Sequence, residues 1–364
     1  MQKSGIVLFS LVVILSLILS GCFQGEQSLE EMDVPKEATA VDSLEDDSIN
    51  EEENAEDEVI TEENEDAEPT SETVARQLYL VDVNGMVAAQ TLELPKLDSN
   101  EVATQVLTYL VKEGPVTSLL PNGFQAILPE GTEVLGLNLQ EDGTVIVDVS
   151  NEFKEYEAKD ELKILQSMTY TLTQFENIDK IELRINGFPQ KEMPVNGTPM
   201  MDGYSRTNGI NLVETDTIDL LDSQAVTIYY PSEYNDNRYY VPVTQRIKVT
   251  DQEVFGSIVQ ALIDGPGYNV NTTHVFNTNT SLINNPTLEN GVLELVFSQE
   301  VLEDIDKAMI SDEVMETLVR TLTEQNKVDS VEVKVENIDQ LTNENGELYS
   351  EPVTKETFMK IEKL

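Results

Sequence analysis

The side chain with the most specific chemistry in this sequence is Cys22, the only cysteine among 364 residues. It follows Leu19-Ser20-Gly21, and these residues close a mainly apolar run of 14 residues from Ile6 to Leu19. Lys3 places a positive charge ahead of this run. A membrane-spanning helix needs about 20 apolar residues, so the run is short for a span. The pattern therefore predicts an export signal over residues 1–21.

The setting of Cys22 resembles a bacterial lipobox, in which the cysteine sulfur receives a diacylglyceryl group and signal cleavage makes the cysteine the first residue. On this interpretation Cys22 is the lipidation site. About two or three acyl chains then hold the protein on the extracytoplasmic face of the cell membrane, because one chain alone binds only marginally. The alternative is an ordinary signal peptide followed by a free thiol. A lone cysteine also excludes an intramolecular disulfide, so the exported domains must depend on their cores.

Other residue types that carry catalysis are scarce. The only histidine, His274, lies in the polar loop Asn271–His274 and is predicted to be exposed. Histidine-based triads and zinc sites both need more than this, and neither a phosphate-binding glycine loop nor a calcium-binding loop is present. We therefore predict no enzyme activity, no cofactor and no metal. The 69 Asp and Glu residues leave a glycosidase-type acid–base pair, and hence a hydrolase, as an alternative.

A cluster of tyrosines in the second half of the chain could instead support binding. In a strand, Tyr229 and Tyr230 alternate between faces, so we expect at least one of them to face solvent. An exposed tyrosine would offer a contact to a protein or a glycan. The other interpretation is that alternate members pack into the core. The cluster comprises Tyr229, Tyr230, Tyr234, Tyr239 and Tyr240.

Residues 22–73 are predicted to form a disordered tether that begins at the lipidated cysteine. Residues 26–72 include 21 Asp or Glu and one basic residue, Lys36. Such a segment buries too little apolar surface to offset its conformational entropy, and like charges extend it. It serves as a spacer or, alternatively, as an acidic docking motif. The whole chain has a net charge of −47, which argues against nucleic acid as a partner.

From Val74 onward the chain repeats itself at a spacing of about 150 residues. The matching blocks follow in the same order: 109–115 with 260–266, 142–150 with 290–298, 171–174 with 321–324, and 178–185 with 328–335. We therefore predict a first domain over 74–195, a linker over 196–222, a second domain over 223–340 and a C-terminal tail over 341–364.

Hydrophobic periodicity predicts the same elements in both copies. In the first, strands 78–83 and 87–92 flank Asn84-Gly85, a dipeptide typical of a tight turn in which both residues have positive φ. A helix capped by Asp98 and Glu101 is expected to end at Gly114-Pro115, where glycine supplies a left-handed cap. The remaining first-copy elements are strands 134–139, 145–149 and 181–185, a turn at 141–143, and a helix over 158–175 with Leu162 facing inward.

In the second copy the corresponding helix is capped by Thr250 and Glu253 and ends at Gly265-Pro266. The other elements are strands 226–230, 239–243, 293–297 and 331–335, and a helix over 311–324. Each helix has one apolar face, as expected for packing on a sheet. The predicted fold class is α+β: two small tandem domains, each a three- or four-stranded sheet with two helices packed on one face.

At this level of detail the chain resembles the GerMN-domain lipoproteins of sporulation and spore germination. The resemblance covers about residues 74–353, and the second copy departs from the pattern in the loop 267–285 and at Glu336-Asn337. It is clearest in these blocks: Gln77-Leu78-Tyr79-Leu80, 110–116, 120–124, Ser150-Asn151-Glu152-Phe153, 171–175 and Leu183-Arg184-Ile185-Asn186-Gly187.

The resemblance implies a non-enzymatic lipoprotein on the mother-cell membrane, facing the forespore. Such proteins support the assembly or positioning of a mother cell–forespore trans-envelope complex through protein–protein contacts, so other sporulation envelope proteins are the implied partners. It also implies domains similar to the ring-building modules of secretion systems. The alternative function is that of a cell-wall module that binds peptidoglycan.

Overall fold

The computed structural model describes residues 72–97, 101–213, 222–249, 254–267 and 270–358. The predicted signal peptide, Cys22 and the acidic tether up to residue 71 lie outside these residues. So do Asp98, Thr250 and Glu253, which were predicted to cap two helices. In the part of the chain that is described, no helix has the length and apolarity needed to cross a membrane.

The first copy is an α+β unit whose main sheet and hairpin are separate. Its main sheet has the strand order β3-β4-β5-β6, with β4 and β5 parallel and β7 paired to β5. The elements are β1 (Thr73–Val81), β2 (Val87–Pro95), α1 (Val102–Thr108), β3 (Val134–Leu139), β4 (Thr144–Val149), α2 (Glu161–Leu172), β5 (Lys180–Ile185), β6 (Phe188–Pro189) and β7 (Tyr204–Ser205).

The hairpin β1–β2 has a longer turn than the sequence predicts. Of the Asn84-Gly85 pair only Gly85 has a positive φ, of 78°. The Asp82 carboxylate accepts hydrogen bonds from the backbone N–H groups of Asn84 (2.9 Å) and Met86 (2.8 Å). Because the Asp82 side chain organises the turn, the loop spans residues 82–86. The prediction of a tight two-residue turn at Asn84-Gly85 is therefore wrong.

Helix α1 is also shorter than predicted, since it ends at Thr108 rather than at Gly114. The next residues pair with another loop: the Leu110 carbonyl accepts from the N–H groups of Ile127 (3.1 Å) and Leu128 (2.9 Å). Gly114 has a φ of −84°, and the left-handed residue is Glu113, at 54°. The buried apolar residues after Thr108, Leu110 and Val111, therefore lie in a run of turns rather than in the helix.

Helix α2 is the centre of the first copy. It contacts β1, β2 and β5, and every residue from Ile164 to Leu172 is buried. A helix covered on all sides needs more than the single apolar face predicted from the sequence. Leu162, predicted to face inward, is 39% exposed because it lies in the first turn, beyond this cover.

The second copy repeats this plan, and its main sheet has the order β10-β11-β12-β13. Its elements are β8 (Ser223–Tyr234), β9 (Asn237–Lys248), α3 (Val254–Asp264), β10 (Thr287–Glu289), β11 (Val292–Phe297), α4 (Asp312–Leu322), β12 (Ser330–Val335) and β13 (Val353–Thr354). Here the hairpin turn is the tight type, with positive φ at Asn235 (47°) and Asp236 (62°). Gly265, with φ 83°, ends α3 as predicted.

Both copies extend beyond the strands expected to close them. In the first, β7 pairs with β5, with Ile181 opposite Tyr204. In the second, β13 pairs with β12, with Val331 opposite Val353. These added strands come from the described parts of 196–222 and 341–364, so those parts are packed on the sheets. The predicted class, two tandem α+β domains, is confirmed.

Candidate functional site

The two copies meet along their hairpins, where β2 contacts β9. Asn211, which lies in the sequence between the two copies, bonds to both hairpins at this contact. Its side-chain oxygen accepts from the N–H of Val87 (2.8 Å), and its amide donates to the carbonyls of Val87 and Pro242, both at 2.7 Å. Buried backbone groups of both hairpins are thus satisfied by one buried side chain. The hairpins are held together by specific polar bonds as well as by apolar packing.

Tyr239 makes a second connection. Its hydroxyl donates to the Asp82 carboxylate at 2.9 Å, and its ring packs edge-on against Phe124 at 4.7 Å between centroids. Burial raises the pKa of Tyr239 to about 12. The hydroxyl therefore stays protonated and serves as a donor. Asp82 both shapes the first hairpin's turn and binds the second hairpin.

Arg206 and Glu324 form an ion pair between the copies. Arg206 Nη1 donates to Glu324 Oε1 at 2.7 Å, and Nε donates to the Thr173 hydroxyl at 2.8 Å. The guanidinium also lies 4.5 Å from the Tyr170 ring centroid. Glu324 accepts a further bond from the Tyr229 hydroxyl at 3.0 Å. We call these five residues the junction cluster.

The electrostatics of the junction cluster favour a charged pair. Burial disfavours the charge on Arg206, but Glu324 and the surrounding tyrosines raise its pKa above the ordinary arginine range. The side chains of Arg206 and Glu324 are 26% and 22% exposed. A pair at this depth is screened less than one on the open surface. The junction cluster therefore favours a fixed arrangement of the two copies.

Positions in the junction cluster have counterparts one repeat away. Arg206 follows β7 as Lys355 follows β13, and Glu324 occupies the place that Gln174 has in the first copy. The Gln174 amide donates to the Gln77 carbonyl at 2.7 Å. The second copy thus has an equivalent cation, Lys355, but the residue at the position equivalent to Glu324 is the neutral Gln174.

Two clefts flank the junction cluster. One, of about 520 Å³, lies between β7 and the end of α4 and is lined by Lys180, Ser205 and Gln325 among others. The other, of about 380 Å³, is lined by Tyr79, Gln174 and Lys355 among others. Thr173, Asp179, Arg206, Glu324 and Asn326 line both. The junction thus offers polar, concave surface built from both copies.

Of His274 and Cys22, the two residues first considered for chemistry, the structure describes only His274. His274 is exposed, as predicted, and its Nε2 lies 2.8 Å from the Ile263 carbonyl oxygen at the end of α3. Within residues 72–358, where these are described, no three His, Cys, Asp or Glu side chains are placed to hold a metal ion. Cys22 lies outside the described residues, so its lipidation stays a prediction.

The expectation that Tyr229 or Tyr230 faces solvent is wrong, since they are 4% and 2% exposed. Tyr229 is covered by the junction cluster, and the Tyr230 hydroxyl accepts from the Gln245 amide at 3.5 Å. Tyr239 is also buried, at 4%. The hairpin has no open face at these tyrosines because α4 packs on β8 and the first copy packs on β9. Core packing is therefore the correct interpretation for these three.

Arg206 was missed from the sequence because it lies in the predicted linker. A weak signal was present: Tyr204-Ser205-Arg206-Thr207-Asn208 and Val353-Thr354-Lys355-Glu356-Thr357 are 149 residues apart, close to the repeat spacing. Each places a basic residue directly after a short strand and begins a short 3-10 helix there. Extending the repeat past residues 195 and 340 would have found both cations.

Comparisons with known proteins agree with the tandem plan. A family model described as sporulation and spore germination matches residues 77–191 and 227–340. The spore germination protein GerM of Bacillus subtilis (strain 168) is 43% identical over 359 residues, 98% of this chain and 97% of that protein. The solved tandem GerMN domains of the sporulation protein GerM from Bacillus subtilis match with a TM-score of 0.72 and 47% identity, over 78% of this chain and 97% of that one.

Proposed function

Because this chain belongs to the sporulation and spore germination family, we propose that it is a non-enzymatic lipoprotein that supports assembly or positioning of a mother cell–forespore trans-envelope complex. Homology over nearly the full length supports the coarser part, a role in sporulation. The finer part is our inference. It places the protein on the extracytoplasmic face of the mother-cell membrane, with other sporulation envelope proteins as partners.

The observation that carries the proposal is the junction between the copies. Bonds through Asn211, Tyr239 and Arg206 join the two domains into one body that presents surfaces of both. A scaffold needs this property, because partners are positioned only if the sites that bind them keep a fixed separation. Catalysis would need a convergent set of acid, base and nucleophile, and the junction cluster instead uses its charged groups to bind each other.

The anchor is tested with Cys22→Ala. Radiolabelled palmitate should be incorporated into the wild type and lost from Cys22→Ala, which should move from the membrane to the soluble fraction and lower the yield of heat-resistant spores. The matched control is Ser20→Ala, which replaces a small residue two positions before Cys22 with another small residue. This variant should keep both the label and the membrane location. If Cys22→Ala stays in the membrane fraction, the anchor is wrong.

The scaffold role is tested by copurification from sporulating cells. Sporulation envelope proteins should copurify with the anchored protein and be reduced with Cys22→Ala, which keeps the same folded domains but loses the location. If the wild type and Cys22→Ala recover the same proteins in equal amount, binding to the complex does not require the membrane anchor. If no envelope protein copurifies with the wild type after crosslinking, the scaffold proposal fails.

The alternative, a module that binds peptidoglycan, makes a different prediction. The purified protein should then pellet with insoluble peptidoglycan at low salt. The tyrosines first considered for this contact are buried, so Tyr240 and Tyr234, which are half-buried, would have to carry it. Release of soluble wall fragments in the same incubation would indicate a hydrolase instead.

A further inference from the structure

The smaller cleft beside the junction cluster differs from the rest of this acidic surface. Its walls include Tyr79, Gln174 and Asp179 from the first copy and Asn326 and Lys355 from the second. Its volume is about 380 Å³, within the range of pockets that hold small ligands, about 300–1,000 Å³. Because both copies contribute, the cleft exists only in the assembled tandem.

Three hydrogen-bond donors in this cleft have no partner among the described residues. They are the Lys355 ammonium, the Tyr79 hydroxyl and the Asn326 amide. Tyr79 is 2% exposed, and its backbone, unlike its hydroxyl, is fully engaged by Ser167 and Thr171 of α2. The Tyr79 hydroxyl is not one of the fully enclosed side-chain atoms that lack a partner in the described residues, so it reaches the surface of the cleft. Such a group facing a cleft indicates a place for a ligand.

The contrast with the other copy strengthens this point. The Arg206 guanidinium bonds to Glu324 and Thr173 and lies over the Tyr170 ring. Lys355 holds the equivalent place in the second copy, but its counterpart acid is replaced by Gln174. In a chain with 69 acidic and 22 basic residues, this half-buried lysine forms no ion pair with a carboxylate of the described residues, so its ammonium is available to an anion.

The charges lining the cleft limit which anion fits. Glu324 is neutralised by Arg206 and also accepts from Tyr229. Asp179 remains as a carboxylate on the wall. One free cation beside one carboxylate suits a singly charged anion and opposes a phosphate dianion, since like charges repel at this range. Asp179 can also accept from a neighbouring N–H.

We propose that this cleft binds the α-carboxylate end of a short peptide. Lys355 and the Tyr79 hydroxyl hold the carboxylate, and the Asn326 and Asp179 side chains bind the preceding peptide group. The carboxylate can come from the C-terminus of a protein or from a stem peptide of the cell wall. The inference concerns a ligand site and does not depend on the membrane anchor or on the trans-envelope role.

The test is calorimetric titration of the purified full-length protein, in detergent, with N-acetyl-Lys-Ala-Ala peptides. Four probes separate the chemistry from its source: the D-Ala-D-Ala and L-Ala-L-Ala forms, each with a free carboxylate or a C-terminal amide. The free acids should bind at least about tenfold more tightly than the amides, because a charge-assisted bond is lost in the amide. A preference for the D form assigns a wall stem peptide, and a preference for the L form assigns a protein terminus.

Substitutions locate the site. Lys355→Gln should weaken the free acids about tenfold and leave the amides unchanged, and Tyr79→Phe should weaken them less. Lys334→Gln is the matched control, because Lys334 lies on β12 and already pairs with Glu332 at 3.3 Å. The variants should keep the wild-type melting temperature to within a few degrees. Equal binding of acid and amide, no binding of any probe, or full affinity in a folded Lys355→Gln protein would overturn the proposal.

Discussion

Removing the Arg206 side chain should loosen the two copies and destabilise the whole unit. Arg206→Ala leaves Glu324 half-buried without its cation and removes the bond to Thr173. Truncating one member of a charged hydrogen bond costs about 1.5–3 kcal/mol, and the lost stacking on Tyr170 adds about 0.5–1 kcal/mol. Because each side chain of the pair is about one-quarter exposed, solvent screening lowers the sum. We expect a loss of about 2–3 kcal/mol in the free energy of unfolding.

The assay is urea denaturation of the full-length protein, followed by far-ultraviolet circular dichroism. Arg238→Ala is the matched control. Arg238 also bridges two carboxylates, Glu233 at 3.7 Å and Glu313 at 3.2 Å, but it is 67% exposed. Exposed ion pairs contribute about 0–1 kcal/mol. The two variants change the same residue type in the same way and differ mainly in depth.

A double-mutant cycle isolates the pair itself. If Arg206 acts through Glu324, the loss in Arg206→Ala combined with Glu324→Ala should be smaller than the sum of the two single losses by about 1 kcal/mol or more. Arg206→Ala should also broaden the transition or split it in two, because the copies then unfold less cooperatively. A loss equal to that of Arg238→Ala, with additive double-mutant energies, would refute the assignment of the junction cluster as the clamp.

Three further predictions concern single buried features. Glu161 is fully buried, and burial by itself raises the pKa of its carboxyl. The hydrogen bonds from Thr198 and from neighbouring N–H groups lower this pKa by more than burial raises it, so the net shift is downward. Its ionised form therefore stabilises the fold fully above the unfolded pKa of about 4.3. In urea titrations the wild type should be more stable than Glu161→Gln by about 1–3 kcal/mol at pH 7, and this difference should fade as the pH falls through the lower folded pKa. A difference that stays constant with pH would contradict this prediction. Asn211→Ala should cost about 2–4 kcal/mol because it orphans carbonyls in both hairpins, and a loss under about 0.5 kcal/mol would show that water replaces the side chain. Gly143→Ala should lower the melting temperature, because its φ is +77° and a Cβ would overlap the Asp179 carboxylate, whereas Gly136→Ala, with open space around it, should not.

Where local sequence decides the structure, prediction succeeds. The helix predicted over 311–324 is observed as α4, Ser311 caps it by accepting from the Val314 N–H at 3.2 Å, and its apolar residues, among them Leu318, are buried. The turn at 141–143 forms as expected, with Gly143 left-handed. These features depend on contacts within a few residues, so their signals are complete in the sequence.

Prediction fails where a distant segment decides. Tyr230 is as buried as Tyr229 because the hairpin is covered on both sides, and strand alternation alone cannot reveal the second cover. The Asn84-Gly85 turn is overridden by the carboxylate of Asp82, which also binds Tyr239 from the other copy. The ion pair of the junction cluster was missed for the same reason, because Arg206 and Glu324 are 118 positions apart.

The repeat itself explains why the junction is asymmetric. Two copies with identical residues at these positions would place the same cation–carboxylate pair on both sides of the junction. Here one side has Arg206 with Glu324, which close on each other at 2.7 Å. The other has Lys355 with Gln174, and the ammonium stays available. Divergence between the copies thus assigns one side to holding the domains together and the other to binding a ligand. Lys355→Arg combined with Gln174→Glu should rebuild the closed pair, raising stability and abolishing binding of the peptide carboxylate together.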